Sequence, residues 1–178
     1  AYVGGMTLIS TAVRATHLVT NAAWFGGSLM GAVGLNRAAR EPDTERERVE
    51  VSGTGWERWG PVQGAAIGLH LLSGIAILAD NRNRVVSHPP TTASVVAKTA
   101  LTGAAVASSA AAYVYGQRLG DASGEDGHPR QPEVAEDARG KLAWLQWATP
   151  ALTGALLVLD AQLGEQQRGA AGLLDRPW

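Results

Sequence analysis

Residues Thr7 to Leu35, TLISTAVRATHLVTNAAWFGGSLMGAVGL, decide the fold of this chain. The stretch contains a single charged side chain, Arg14. A helix rises about 1.5 Å per residue, so about 20 residues cross a hydrocarbon core of ~30 Å. This stretch is therefore long enough to span a bilayer with some tilt. It lacks the basic leading region of a cleaved signal peptide, and it is longer than the apolar region of such a peptide.

Three further segments share this character. Gly60 to Ala79 and Leu142 to Leu159 contain no charged residue, and Ser94 to Gln117 contains only Lys98. A surface helix of a soluble bundle would present lysine and glutamate on its outer face at every turn, and these segments do not. An Ala-rich soluble four-helix bundle is the alternative. The sequence predicts an all-α fold, an integral membrane antiparallel four-helix bundle.

The chain of 178 residues is predicted to be a single domain. Its charge is concentrated between the apolar segments, where the run REPDTERERVE alternates in sign and is interpreted as a solvated turn of helix. Pro61 is expected in the first turn of helix two, where its missing N–H does no harm. The predicted helices cover about 6–35, 60–80, 93–116 and 140–163, with charged loops at 36–59 and 116–139.

Composition excludes several classes of function. The net charge of -1 offers no basic field for nucleic acid. The absence of cysteine removes disulfides, thiolate metal sites and thiol catalysis. The sequence contains no G-x-S-x-G, no H-E-x-x-H and no phosphate-binding glycine loop. These absences favour a protein that is not an enzyme.

The distribution of Lys and Arg predicts an orientation. The loops after helices one and three carry more of them than the opposite side, so both loops are expected in the cytoplasm and both termini outside. The protein is then a multi-pass protein of a bacterial plasma membrane, in contact with membrane lipid, and the Ala/Gly/Arg-rich composition suggests an actinobacterial genome. An aromatic belt at the cytoplasmic face is predicted from Trp56, Trp59, Tyr113, Tyr115, Trp144 and Trp147.

Small residues are predicted to pack the helices. In lipid, helices associate through close backbone approach and hydrogen bonds. Helix two carries glycine at every fourth position, and helix one offers two more. These seams are expected to pack within the chain, and the alternative is an interface in a homo-oligomer or with other membrane subunits. The glycines are Gly60, Gly64, Gly68, Gly27 and Gly31.

The candidate site is a set of polar residues inside the apolar segments. Ionisable groups within a membrane span are costly and tend to mark function. On helix one, Arg14, His17, Asn21 and Trp24 follow three- and four-residue spacing and so share a face. Helix two adds His70 at a depth similar to that of His17, and helix three adds Lys98 near its outer end.

Two interpretations of these residues stay open. In one, a buried ion network joins Arg14 and Lys98 to Asp80 and Asp160, and the histidines bond to backbone or hydroxyl groups. In the other, His17 and His70 are axial ligands of haem or ligands of copper, and Arg14 and Lys98 meet the haem propionates. The other two histidines, His88 and His128, lie beside prolines in polar loops and are interpreted as surface residues.

Two short motifs carry a family resemblance. The sequence HLVTNAAWFGG, from His17 to Gly27, resembles the first-helix signature H-x6-W-x-G-G of the CopD-like membrane proteins and similar helices of the HemJ-type protoporphyrinogen oxidases. The sequence VVAKTALTGAAV around Lys98 resembles their later lysine-bearing helix. The resemblance implies a four-helix unit with functional residues at His17 and Lys98, and a link to copper, porphyrin or haem. His70 and the long charged loops depart from the pattern.

The sequence thus leads to two hypotheses of different classes. The first is a haem- or copper-binding membrane protein that serves as a redox or transport accessory. The second is a structural or scaffold subunit of a membrane complex without a cofactor, whose internal charges fix the register of the helices. A porphyrin-oxidising activity is implied by the resemblance alone.

Overall fold

The structure, a computed structural model, describes residues 2–82, 89–124 and 129–174, with side chains in 8–82, 92–124 and 129–162. Every regular element in this part of the chain is helical, which confirms the all-α prediction. The elements are α1 (Tyr2–Met30), a π-helical turn (Gly31–Leu35), α2 (Asn36–Ala38), α3 (Glu45–Asp80), α4 (Pro89–Ala122) and α5 (Pro132–Leu174). The tail beyond residue 174, His88 and His128 lie outside the described residues.

Helix α3 begins at Glu45, not near residue 60 as predicted. A capping box starts it: Thr44 Oγ1 accepts a hydrogen bond from the backbone N–H of Glu47 at 3.2 Å, and the Glu47 carboxylate accepts from the N–H of Thr44 at 3.3 Å. The alternating charges that follow are well suited to a solvated helix. The charged run is therefore the first part of α3, and most of the predicted loop 36–59 is helical.

Two prolines consequently lie inside helices. Pro61 is in the interior of α3, where the sequence placed it in a first turn, and Pro150 is in the interior of α5. Proline lacks the N–H that would bond the carbonyl four residues earlier and interrupts the helical ladder there. Helices α3 and α5 therefore each have one interior position, Pro61 and Pro150, that donates no backbone hydrogen bond.

The other boundaries also move outward from those predicted. Helix α4 starts at Pro89, before the expected 93, and α5 starts at Pro132, before the expected 140. Proline is favoured at the first helical position because its fixed φ suits the helix and its missing N–H has no partner there anyway. Only residues 123–131 then separate α4 from α5, and across that gap the N–H of Arg130 bonds to the carbonyl of Ala122 at 2.8 Å.

Contacts between the helices follow a consistent order. Later residues of α1, the π-helical turn and α2 contact earlier residues of α3 and of α5. The contacts with α3 are His17–His70, Gly27–Trp59 and Gly31–Trp56, and those with α5 are Asn21–Asp160 and Asn36–Gln146.

The helices expose apolar side chains and bury polar ones. Large apolar groups on the outside include Leu8, 74% exposed, and Val158, 68% exposed. This is the reverse of the distribution in a water-soluble protein. Within the described residues, four helices are long and apolar enough to cross a membrane, at Leu8–Ala38, Glu45–Asp80, Thr92–Ala122 and Pro132–Gln162. The buried polar residues are His17, Thr20, Asn21, Ser28, His70, Ser73, Ser108, Thr149 and Thr153.

Two tryptophans predicted for the aromatic belt pack between helices instead. The ring of Trp59 covers Gly27, and the ring of Trp56 covers Gly31, so closely that an added Cβ at either glycine would overlap the indole. Their N–H groups are also used inside the molecule, by Gln63 Oε1 at 3.0 Å and Asn36 Oδ1 at 3.1 Å. Gly27 and Gly31 therefore accommodate aromatic rings and not a neighbouring backbone. By contrast, Tyr113, Trp144 and Trp147 are exposed.

The glycine seam of α3 is not packed within the described chain. A Cβ added at Gly60, Gly64 or Gly68 would meet no atom within 4 Å. The prediction of intramolecular packing is wrong for these three positions, because α3 turns its histidine and tryptophan face toward α1. The oligomer interface considered as the alternative stays a prediction.

The contact between Gly27 and Trp59 yields a stability prediction. We expect Gly27→Ala to destabilise the protein by about 1–3 kcal/mol, because the new methyl group has to displace the indole. The matched control is Gly26→Ala on the same helix, where the methyl group meets nothing within 4 Å. Replacing that glycine is expected to stabilise the helix by about 0.5–1 kcal/mol. Thermal unfolding in mild detergent measures both, and equal effects of the two variants would contradict this packing.

Candidate functional site

Each of the four long helices contributes one titratable side chain to a single buried group. We call it the polar cluster: His17 from α1, His70 from α3, Lys98 from α4 and Asp160 from α5. The face of α1 that carries His17 also carries Asn21 one turn later, and the face of α3 that carries His70 also carries Ser73. The three- and four-residue spacings place these pairs on one helix face. With Lys98 and Asp160, six polar side chains lie together in the interior.

The two histidines lie face to face. Their ring centroids are 3.9 Å apart and their planes are inclined by 15°. Each Nδ1 is close to the other residue's backbone carbonyl: His17 Nδ1 lies 3.0 Å from His70 O, and His70 Nδ1 lies 3.2 Å from His17 O. His17 Nδ1 also lies 3.1 Å from Ser73 Oγ. This reciprocal pair of contacts joins α1 to α3.

The hydrogen-bond partners assign the ring protons. Lys98 Nζ lies 3.0 Å from His17 Nε2, and an ammonium group can only donate, so this nitrogen of His17 is the acceptor. The proton of a neutral His17 is then on Nδ1, from which it is donated to His70 O or Ser73 Oγ. A carbonyl can only accept, so His70 also carries a proton on Nδ1. Both imidazoles therefore fit the cluster in their neutral form.

Lys98 connects the histidines to a carboxylate. Its ammonium group forms an ion pair with Asp160 Oδ1 while also donating to His17. The side chain of Asp160 is 7% exposed and that of Lys98 is 19% exposed, so the pair is largely shielded from solvent. One ammonium group thus contacts residues of two other helices, and the ion pair balances the charge of the cluster.

Asn21 and Trp24 border the cluster. Asn21 Nδ2 donates to Asp160 Oδ2 at 3.4 Å, and its Oδ1 is buried without a hydrogen-bond partner among the described residues. An unsatisfied buried acceptor of this kind costs about 1–3 kcal/mol. The edge of Trp24 faces the ring of His70 at a centroid distance of 6.0 Å, and its Nε1 donates to Ser109 Oγ at 3.0 Å.

The structure brings together most, not all, of the residues singled out in the sequence. His17, His70, Lys98, Asn21 and Trp24 are in contact as described above. Arg14 is partly buried on α1, one turn before His17. Asp80 is exposed at the carboxyl end of α3. Of the ion network considered in the sequence, the structure therefore contains the Lys98–Asp160 pair.

The stacked histidines do not fit two axial ligands of one haem. Axial imidazoles point their nitrogens at the metal from opposite sides, and metal–nitrogen bonds of about 2 Å separate the two nitrogens by about 4 Å, edge to edge. Here the rings are face to face, their centroids are 3.9 Å apart, and His17 Nε2 is occupied by Lys98. Within the described residues, no group of three or more His, Asp or Glu side chains is placed to hold a metal ion. Binding of haem or copper at His17 and His70 stays a prediction.

Comparison with family models, curated proteins and solved structures found no match to this chain. The resemblance to CopD-like and HemJ-type proteins therefore remains a prediction from two short motifs. The chemistry of the site has to be argued from its own geometry.

Sequence reasoning did not single out two serines that complete the site. Ser73 Oγ can accept from His17 Nδ1, and Ser73 lies three residues after His70, a spacing that places both on one helix face. Ser109 accepts from Trp24 and is preceded by Ser108 in an alanine-rich helix. The first has a signal in its spacing. The second has none, because serine is common in packed membrane-type helices.

The buried ion pair yields a second prediction. Lys98→Met leaves the Asp160 carboxylate uncompensated in the interior, so we expect a loss of about 3–5 kcal/mol of stability. The double variant Lys98→Met/Asp160→Asn removes both charges and is expected to recover most of that loss. Lys141→Met is the matched control, since Lys141 and Asp137 form an exposed pair at 3.9 Å, and its effect should stay below about 1 kcal/mol. Thermal unfolding in detergent measures all three, and a double variant no more stable than Lys98→Met would contradict the coupling.

Proposed function

We propose that this chain is an integral membrane protein, an antiparallel four-helix bundle, that passes protons through the polar cluster. One observation carries the proposal: the ammonium group of Lys98 bridges Asp160 and Nε2 of His17, and His17 stacks on His70. Chains of titratable side chains inside membrane helices are characteristic of proton relays in pumps and transporters. The exposed apolar surface of the four helices supports the membrane assignment.

The chemistry of the cluster favours a proton over a larger ligand. Its members contact one another directly: Lys98 Nζ forms an ion pair with Asp160 and lies 3.0 Å from His17 Nε2, and the centroids of the imidazole rings are 3.9 Å apart. A carboxylate accepts a proton, an ammonium group donates one, and an imidazole does both through its two nitrogens. A proton can therefore move among Asp160, Lys98 and His17 along direct hydrogen bonds. Transfer onward to His70 requires a ring to reorient, because each Nδ1 faces a backbone carbonyl of the other histidine.

Protonation of Asp160 changes what its neighbours do. The neutral carboxyl group no longer pairs with Lys98, whose ammonium group is left to His17. The same carboxyl group becomes a donor, and Asn21 has an acceptor to offer, because its buried Oδ1 has no other partner among the described residues. A rotation of the amide brings Oδ1 to the carboxyl group, which then donates to it. The unpartnered oxygen of Asn21 is thus the acceptor that the protonated state requires.

The orientation proposed from the sequence places this cluster near the outer face of a bacterial plasma membrane. It lies toward the amino end of the apolar span Leu8–Ala38 and toward the carboxyl end of α3. The opposite end of the bundle carries the charged start of α3 and the start of α5, which are joined by the Arg139–Glu45 ion pair. By the positive-inside rule that end is cytoplasmic.

Proton movement can be measured in proteoliposomes that contain a pH-sensitive dye. With an interior-negative potential set by potassium and valinomycin, we expect the wild-type protein to acidify the lumen faster than protein-free vesicles do. Asp160→Asn should remove this acceleration, because the amide cannot take up the proton. Lys98→Met/Asp160→Asn, in which no buried charge is left unpaired, should lack it as well.

Asp137→Asn is the matched control for this experiment, because it removes a carboxylate from the exposed pair with Lys141. It should acidify the lumen at the wild-type rate. Size-exclusion profiles in detergent verify that each variant is folded. Equal rates for wild type and both Asp160 variants would refute the proposal and favour the scaffold, in which the cluster only fixes the register of the helices.

The haem and copper hypothesis is tested on the same purified protein. Because the stacked histidines do not suit axial ligation, we expect a preparation without a Soret band and without stoichiometric copper. Absorbance and metal analysis of the wild type, with His17→Ala beside it, measure this. A Soret band that disappears in His17→Ala would support the cofactor hypothesis instead.

A further inference from the structure

An apolar layer crosses the interior of the bundle immediately beyond the polar cluster. Trp24, Ala105 and Leu156 form its centre and are fully buried. All four long helices contribute to it, since α1 supplies the indole, α3 one side chain, α4 three and α5 two. Around the centre pack Ile67, Leu101, Val106 and Leu152.

Polar side chains lie on both sides of this apolar layer. On one side is the polar cluster. On the other are hydroxyl groups, among them the buried pair Ser108 and Thr149, whose oxygens are 2.7 Å apart. Farther along, Asn36 Nδ2 donates to Gln146 Oε1 at 3.2 Å. The polar interior thus continues from the cluster to the far end of the bundle, and the apolar layer interrupts it.

Trp24 contacts both polar regions. The edge of its ring faces His70, and its Nε1 donates to Ser109 Oγ at 3.0 Å. Its indole is the largest fully buried side chain among the described residues. The indole therefore lies between the two polar regions.

We propose that the apolar layer makes the bundle selective for protons and that Trp24 is its specificity-determining residue; this inference rests on the proposed proton function. A hydrated sodium or potassium ion needs a wet pore, and an apolar constriction excludes it because the ion would have to shed its water. A proton needs only a brief hydrogen-bonded link between His70 on one side and the hydroxyl groups on the other. Movement of the ring admits a water molecule that forms that link, without opening a pore wide enough for a hydrated ion.

The experiment compares proton and sodium entry into the proteoliposomes described above. Wild-type protein is expected to pass protons and no measurable sodium. Trp24→Ala should raise sodium entry by at least about tenfold, the change that corresponds to about 1.4 kcal/mol off the barrier. Trp24→Phe retains an aromatic ring in the layer and should stay selective for protons.

Two further variants serve as controls. One covers the case in which Trp24→Ala misfolds, and the other tests whether loss of any tryptophan has the same effect. Leu156→Ala opens the same layer from α5 and should also admit sodium, so the test does not depend on whether Trp24→Ala folds. Trp144→Ala removes an indole that is 69% exposed, and it should keep the selectivity of the wild type. A purely structural role for Trp24 would lower stability without changing the ratio of sodium to proton entry.

The outcomes separate this inference from the function on which it rests. If the wild type passes protons in a manner that depends on Asp160, but Trp24→Ala and Leu156→Ala still exclude sodium, the apolar layer is not the selectivity element and the inference is overturned. Sodium entry through the wild type also overturns it. If the wild type passes no protons at all, the proposed function itself fails.

Discussion

One ammonium group, that of Lys98, links charges and dipoles from three helices. It is paired with the Asp160 carboxylate and donates to His17, whose other nitrogen reaches the backbone of α3. A charge buried in an apolar interior is tolerated only when it is paired and hydrogen-bonded. The positions of α1, α4 and α5 at this level are therefore fixed relative to one another by a requirement of solvation, and α3 follows through the histidine stack.

The remainder of the interior follows from the same requirement. Helices with apolar outer faces gain little from burying more apolar surface when their surroundings are apolar too, so small residues and hydrogen bonds have to hold them together. Hydroxyl groups that bond across helices, such as Ser108 to Thr149, and rings that fill glycine notches, such as Trp59 over Gly27, serve this purpose. At the apolar layer around Trp24 the interior resembles the core of a soluble protein.

Much of the fold and part of the site could be predicted from the sequence. Long segments without charge specify four helices, and three- and four-residue spacing places His17 with Asn21 on one face. The position of His70 along helix two, at a depth similar to that of His17 on helix one, predicts that the two side chains meet. The predictions that were wrong concern features that the periodicity of the sequence does not encode. Alternating charge suits a solvated helix as well as a loop, so the start of α3 was placed too late. A glycine seam does not say which neighbour it meets, so Gly64 was expected to pack and is open instead.

The interior proline of α5 divides that helix mechanically. Arg139, near the start of α5, pairs with Glu45, while Asp160 lies 21 residues later, about 30 Å along the axis. A continuous rod would transmit any shift at Asp160 to Arg139. Pro150 lies between them and removes one backbone hydrogen bond of the helix, so α5 bends most easily there. The part of α5 that carries Asp160 can change its direction while the part that carries Arg139 stays paired with Glu45. A change of charge at Asp160 therefore need not alter the far end of the molecule.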